Sequence, residues 1–433
     1  MASKPLHHLG LAEAARRIAS GALTSEALVA ACLAQVAERE GQVKAWSFID
    51  PDLALAQARA CDKGPVTGPL HGVPIAVKDV LDTFDMPTQM GSPIYDGYQP
   101  AQDAACVALA RMAGAVIMGK TVTCEFAGMA PGATTNPHDP ARTPGGSSSG
   151  SGAAVADFMA PLAFGTQTGG SVLRPAAFCG VIGYKPTFGT FNRAGMKFAA
   201  ESIDTIGLIA RHVEDMALMS SVLTGAPFLA PVAPERPLRI GLCRTYLWAK
   251  AEPSARLALQ RAADAARGAG ALVSDYDMPA PFSALTQTRE IFNNVERARS
   301  LPFEWTHHRA QISAALSQSV EAGFATSQSD YIEAKRFAER CRIEADAIFD
   351  DFDILLVPAA NGEAPVGLHY AGDPSFQGLW TLLHTPTIAI PAGTGESGMP
   401  VGVQLVARRY NDTMLLDAAH WLIARAGVAA TMA

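Results

Sequence analysis

The stretch GGSSSGSGAAVADFMAPLAFGTQTGGS, from Gly145 to Ser171, constrains this chain more than any other. Two Gly/Ser-rich turns flank an apolar insert of Ala153, Ala154, Val155, Phe158, Met159, Leu162, Ala163 and Phe164. A flexible linker carries no such insert. An apolar run of this kind needs burial, so both turns are expected to be pinned against a core. Pinned Gly/Ser turns can aim backbone N–H groups and hydroxyls at a reacting atom. A phosphate-cradling loop of the Walker type would need Gly-Lys-Ser/Thr, and no lysine lies between Gly145 and Ser171.

Upstream, His71-Gly-Val-Pro-Ile-Ala-Val-Lys78-Asp79 places a lysine at the close of a short, strand-like apolar run. An ammonium drawn out of water there loses stability relative to the neutral amine, and its pKa falls from about 10.4 by up to several units. Lys78 thereby becomes usable as a base near neutral pH. A serine hydroxyl needs such a base before it attacks. Taken singly, a serine in a Gly-rich turn is a turn former and a lysine is a solvated charge. The case for chemistry is their conjunction.

Three blocks carry a resemblance. They are Val77-Lys78-Asp79, then Pro144-Gly-Gly-Ser147-Ser148-Ser149-Gly-Ser151-Gly, then Gly165-Thr-Gln-Thr-Gly-Gly-Ser171-Val-Leu-Arg-Pro175 running into Cys179-Gly-Val-Ile-Gly-Tyr-Lys185-Pro-Thr187. Ser147 and Ser171 stand 24 residues apart, as in that family, and the C-terminal pattern Asp353-Ile-Leu-Leu-Val-Pro358, Pro386, Pro391 and Gly398-Met-Pro400-Val-Gly-Val-Gln404 agrees. The chain resembles the amidase signature serine hydrolases over about residues 9–425. The resemblance implies Ser171 as acyl-enzyme nucleophile, Ser147 as a relay held by a cis peptide bond, and Lys78 as base. It also implies an oxyanion hole from the N–H groups of Thr168, Gly169, Gly170 and Ser171, with Ser148 supporting the site. The middle hydroxyl can donate and accept at once, so no histidine is required. Ser149 and Ser151 are expected as turn or N-cap hydroxyls.

Two departures bear on substrate. The usual Asp of the second turn is Gln167, and the usual Arg two residues after the nucleophile is Leu173, with Arg174 one place later. The joint loss of acid and base suggests that an amide and an apolar contact replace an ion pair. This variant is similar to the malonamidase-like branch. Arg174 is then free either to bind a substrate carboxylate bidentately or to brace the turn. Met129 and Ala130, after Cys124-Glu-Phe-Ala-Gly, are candidate substrate contacts, because family members place that loop beside the scissile bond.

A chain of 433 residues with 49% apolar composition can bury a large core. The resemblance and the alternation of elements imply one α/β domain over 1–433, with a central mixed β-sheet covered by helices on both faces. Within it lie an N-terminal helical part (1–60), a catalytic core segment (65–225) and a helical pocket-capping region (279–345). Helices are expected over 10–20, 26–39, 103–112 and 253–267. Strands are expected over 73–77, 115–118 and 239–242, and a Pro/Ala-rich connector over 227–237.

A net charge of −7 argues against nucleic acid as a partner. Seven scattered cysteines without Cys-x-x-Cys, and histidines without His-Glu-x-x-His, imply neither a disulfide framework nor a metal. No cofactor is expected, a cytoplasmic location is the default, and no apolar run marks a membrane span. The expected activity is hydrolysis of a small-molecule amide. A carbamate, anilide or ester is an alternative for the same triad. A glutaminase subunit of a tRNA-dependent amidotransferase is a second, which Gln167 and the displaced Arg disfavour, and a catalytically silent binding protein a third. Homodimerisation is a further expectation from the family likeness and the apolar faces of the N-terminal helices.

Overall fold

A computed structural model describes residues 4–428. One sheet of eleven strands organises the molecule. In chain order these are β1 (Trp46–Ile49), β2 (Pro74–Lys78), β3 (Val116–Thr121), β4 (Leu162–Gln167), β5 (Ile182–Lys185), β6 (Thr205–Ala210), β7 (Arg239–Cys243), β8 (Leu272–Tyr276), β9 (Ile354–Pro358), β10 (Thr387–Thr394) and β11 (Pro400–Val406). Their spatial order is β1-β3-β2-β4-β6-β5-β10-β11-β9-β7-β8. The sheet is mixed: β3-β2-β4 and β9-β7-β8 are parallel groups, and every other neighbour pair is antiparallel.

Strands β2, β3, β4 and β6 are buried at every position. They read as continuous apolar runs rather than alternating ones because helices cover both faces. The expected elements appear with edges moved by a few residues. Helices run Leu11–Ala19, Ser25–Val43, Ala105–Met112 and Pro253–Gly268, and Thr24 caps the second by accepting from the N–H of Ala27 at 3.2 Å. The apolar faces of the first two pack on the chain's own core through Leu11, Ala14, Ile18, Leu28 and Cys32. Residues 279–345 are mostly helical, chiefly in Leu285–Ser300, Ala314–Ala325 and the first part of Gln328–Asp351. Among the described residues no helix is long and apolar enough to cross a membrane.

The parallel pair β2-β4 sets Ala76 beside Ala163 and Val77 beside Phe164. Lys78 therefore leaves the end of its strand level with Gly165, near the end of β4 and the start of the second Gly-rich turn. The apolar insert forms the helix Ser149–Ala156 and then β4, and Ala153, Ala154, Val155, Met159, Leu162, Ala163 and Phe164 all enter the main core. That burial pins both turns.

Candidate active site

Three lysines are fully buried, and their partners separate their roles. Lys185 faces main-chain carbonyls, donating to Pro186 O (2.9 Å) and Thr385 O (2.5 Å). Lys120 pairs with Asp79 at 3.4 Å and donates to Thr88 Oγ1. Lys78 has no carboxylate partner among the described residues. Its Nζ donates to Ser147 Oγ at 2.8 Å, to Thr166 Oγ1 at 2.8 Å and to Thr166 O at 3.3 Å. Burial, with a smaller push from the Arg174 charge, brings its ammonium down to about 7 against the opposing pull of Cys124 and Asp204. Of the three, it alone couples a near-neutral titration to a serine hydroxyl.

Ser147 follows a cis peptide bond from Gly146, in agreement with what the resemblance implied. Gly145 begins this turn at a φ of +84°, a region that favours glycine. Ser148 joins the two turns: its N–H donates to Ser171 O at 3.1 Å, while its Oγ lies 3.3 Å from both Thr166 O and Thr166 N. Ser149 and Ser151 do not cap the helix that follows. Their hydroxyls donate to carbonyls at the sheet instead, Ser149 to Val122 O just past the end of β3 (3.2 Å) and Ser151 to Phe164 O in β4 (2.9 Å). With its N-terminus buried against β3 and β4, the helix leaves those carbonyls as the nearest acceptors.

Ser171 sits at the head of the helix Leu173–Cys179, with 7% of its surface exposed. Among the described residues no protein acceptor takes the N–H of Gly169, Gly170 or Ser171. Gln167 occupies the place of the missing ion pair. Its Oε1 accepts from the N–H groups of Val172 (2.9 Å) and Leu173 (3.0 Å), and its Nε2 donates to Thr381 Oγ1 (3.0 Å). Leu173 packs against Ala177, Ala359 and Ala389. An amide and an apolar contact thus hold the turn. Gln167→Leu is expected to strand two buried N–H donors and cost about 2–4 kcal/mol, read as a lowered denaturant midpoint.

Arg174 donates from Nη2 to Gly146 O at 2.5 Å, whereas its Nε and Nη1 are buried without a partner. Burial brings this guanidinium down to about 10. The loop with Met129 and Ala130 lies next to Cys124, whose N–H donates to Ser147 O at 3.1 Å; Ala130 O accepts from Glu125 N at 3.0 Å, and Met129 is exposed.

Several neighbours carry no local sequence signal. Thr168 Oγ1 donates to Asp204, whose other oxygen accepts from the N–H groups of Ala199 (2.7 Å) and Ala200 (2.9 Å). Thr381 Oγ1 donates to Gly169 O at 2.8 Å, and Gln377 lies against Gly170. These residues belong to a loop and a helix far along the chain from the turns they brace.

The amidase family profile matches residues 27–416. The chain belongs to the amidase family. This amidase is 34% identical over 465 residues to a glutamyl-tRNA(Gln) amidotransferase component from Chloroflexus aurantiacus, with 95% of each chain covered. It is 29% identical to the solved structure of a vestigial protein complex bearing on the evolutionary origins of an s-triazine catabolic enzyme, at TM-score 0.89 over 98% of this chain and 100% of that one. The native peptide amidase of Stenotrophomonas maltophilia aligns at TM-score 0.83 with 28% identity over 99% of both chains. As a member of this family the protein is an enzyme of carbon–nitrogen bonds.

Proposed function

We propose that this amidase hydrolyses a small carboxamide through an acyl-enzyme on Ser171. The observation that carries the reading is the fully buried Lys78 Nζ, 2.8 Å from Ser147 Oγ, in a turn tied to Ser171 through Ser148. Neutral Lys78 takes the proton of Ser147 as Ser147 takes that of Ser171. The Ser171 oxygen then bonds to the carbonyl carbon. The oxygen of the tetrahedral intermediate is met by the uncommitted N–H groups of Gly169, Gly170 and Ser171, with Thr168 completing the turn. Collapse breaks the C–N bond, and the proton returns through Ser147 to the departing amine. Water repeats the sequence on the ester, and the acid leaves.

The same groups would serve a carbamate, anilide or ester that fits the pocket. Met129 and Ala130 are proposed to border it, with the helices of residues 279–345 covering it. Arg174, through Gly146 O, is proposed to hold the relay peptide and to face the acyl group. Seven free cysteines, six of them buried, suit a reducing cytoplasm.

The test is ammonia and amine release from a panel of small amides, anilides and carbamates by the protein purified alone, together with labelling of Ser171 by a serine-directed probe. Activity on at least one member, together with probe labelling at Ser171, is the expected result. Absence of both overturns the reading. The curated relatives favour a second reading, a glutaminase component working inside a tRNA-dependent amidotransferase. Hydrolysis of amides other than glutamine without any partner rejects it.

Gly169→Val should cost about 100-fold or more in kcat with little change in melting temperature. The first atoms its Cβ meets are Arg289 Nη1 at 3.1 Å and Pro374 Cβ at 3.2 Å, both able to give slightly, whereas the N–H direction of the turn cannot shift without loss. Full activity in a folded variant would remove this turn from the mechanism.

A further inference from the structure

The helix Leu285–Ser300 sends two buried arginines toward the catalytic turns, and they differ in what they lie against. Arg297 lies against Gly128 with Asp204 and Glu125 the nearest negative charges, and Arg289 has Glu290 and Asp373 in the same role; among the described residues neither arginine makes an ion pair. Arg289 crosses Gly378, where a Cβ would fall 2.6 Å from its Nε. Its Nη1 ends 3.1 Å from the place a Cβ on Gly169 would occupy. Among the described residues no carboxylate comes within ion-pair distance of Arg289, and its guanidinium makes no hydrogen bond. The nearby Asp373 is already engaged by Lys250 Nζ at 3.0 Å and by the N–H of Ser375 at 2.8 Å.

A desolvated guanidinium without an acceptor is costly, and a fold that needed only packing there would be better served by an apolar side chain. Arg174 differs again: it has spent one nitrogen on Gly146 O, its other two are sealed, and it keeps 2% of its surface against 8% for Arg289. Arg289 and Arg297 are alike in lacking a paired acceptor among the described residues, and of the two Arg289 is the one set beside Gly169, in the turn that receives the scissile carbonyl.

We propose that Arg289 is the anchor for a carboxylate carried by the substrate, making the preferred substrates short anionic amides. This rests on the reading of Ser171 as nucleophile. The fork of two N–H groups fits a carboxylate bidentately and fixes the amide in front of Ser171 by holding its far end. The carboxylate can lie on the acyl side, as in a half-amide of a dicarboxylic acid, or on the amine side, as in an N-acyl amino acid.

The experiment compares butyramide, succinamate and N-butyrylglycine with wild type, Arg289→Gln and Arg289→Lys. Wild type is expected to prefer one of the two anionic compounds, and that compound shows which side of the bond Arg289 holds. In Arg289→Gln the ratio of its kcat/KM to that of butyramide should fall about 100-fold, mostly through KM. Arg289→Lys should recover part of that ratio, because charge remains while the fork is lost. An equal loss on anionic and neutral amides would assign Arg289 to the oxyanion or to folding and overturn the proposal, as would an unchanged ratio. Calorimetric binding of succinamate and N-butyrylglycine to Ser171→Ala, with and without Arg289→Gln, reads the anchor independently of turnover. Should Ser171→Ala stay active, the nucleophile is wrong while this binding difference still judges Arg289.

Discussion

Ser171→Ala is expected to lower amide turnover by about 10⁴-fold or more while leaving the melting temperature within a degree or two of wild type. The loss is large because the steps act in series: without the Ser171 oxygen no acyl-enzyme forms, and the proton path through Ser147 to Lys78 has nothing to relay. The stability change is small because the change removes one hydroxyl whose backbone carbonyl still accepts from Ser148 N–H. Ammonia release from the best amide of the panel, beside a thermal melt, measures both. Turnover surviving at more than a hundredth of wild type would transfer the nucleophile's role to another residue.

Lys78→Met carries the second large effect. The side chain is of similar length and the site is wholly enclosed, so methionine can occupy it without charge. Turnover should fall about 10³-fold, the scale of a lost general base. The pH profile adds a sign. In wild type, Lys78 is protonated below about 7 and cannot accept the relayed proton, so kcat/KM rises with pH through 7 and then levels. The residual activity of Lys78→Met should lack that rise. Stability also rises with pH, over a higher range. The folded state binds this proton less readily than the unfolded chain, so wild type gains stability as pH climbs from about 7 toward the ordinary lysine value. At neutral pH Lys78→Met should melt no lower than wild type, and its advantage should shrink in alkali. A rise in kcat/KM near pH 7 that persists in the variant would exclude Lys78 as its source.

What the sequence discloses is whatever is written in contiguous residues. The Lys78 strand, the two Gly/Ser turns and the apolar insert between them are each continuous segments whose burial and periodicity can be read directly. The amide replacing an acid at Gln167 is legible for the same reason. Distant contacts are not. Asp204, Gln377, Thr381 and Arg289 reach the turns from segments whose local patterns are those of an ordinary loop or helix, and only the pairing of strands and the packing of helices brings them near. Arg174 shows the limit from inside a motif: its identity is visible, but the carbonyl of Gly146 that takes its Nη2 depends on how the first turn folds back on the second. Ser149 and Ser151 open a helix, and that position alone predicts caps. Their true acceptors lie just past the end of β3 and within β4, outside the few residues that a cap rule reads.

Thr381 and Gln377 hold the second Gly-rich turn from a helix some two hundred residues further along, and β10, still later, pairs with β5. A ribosome that has released residue 225 has therefore already delivered Lys78, Ser147 and Ser171, together with the strands that carry them. The hydroxyl that accepts from Gln167 and donates to Gly169 O has not yet been made. The nascent chain thus holds Lys78, Ser147 and Ser171 long before it holds the threonine that ties Gln167 to Gly169, and the arrangement around the second turn is complete only when the last third of the polypeptide closes over the first half.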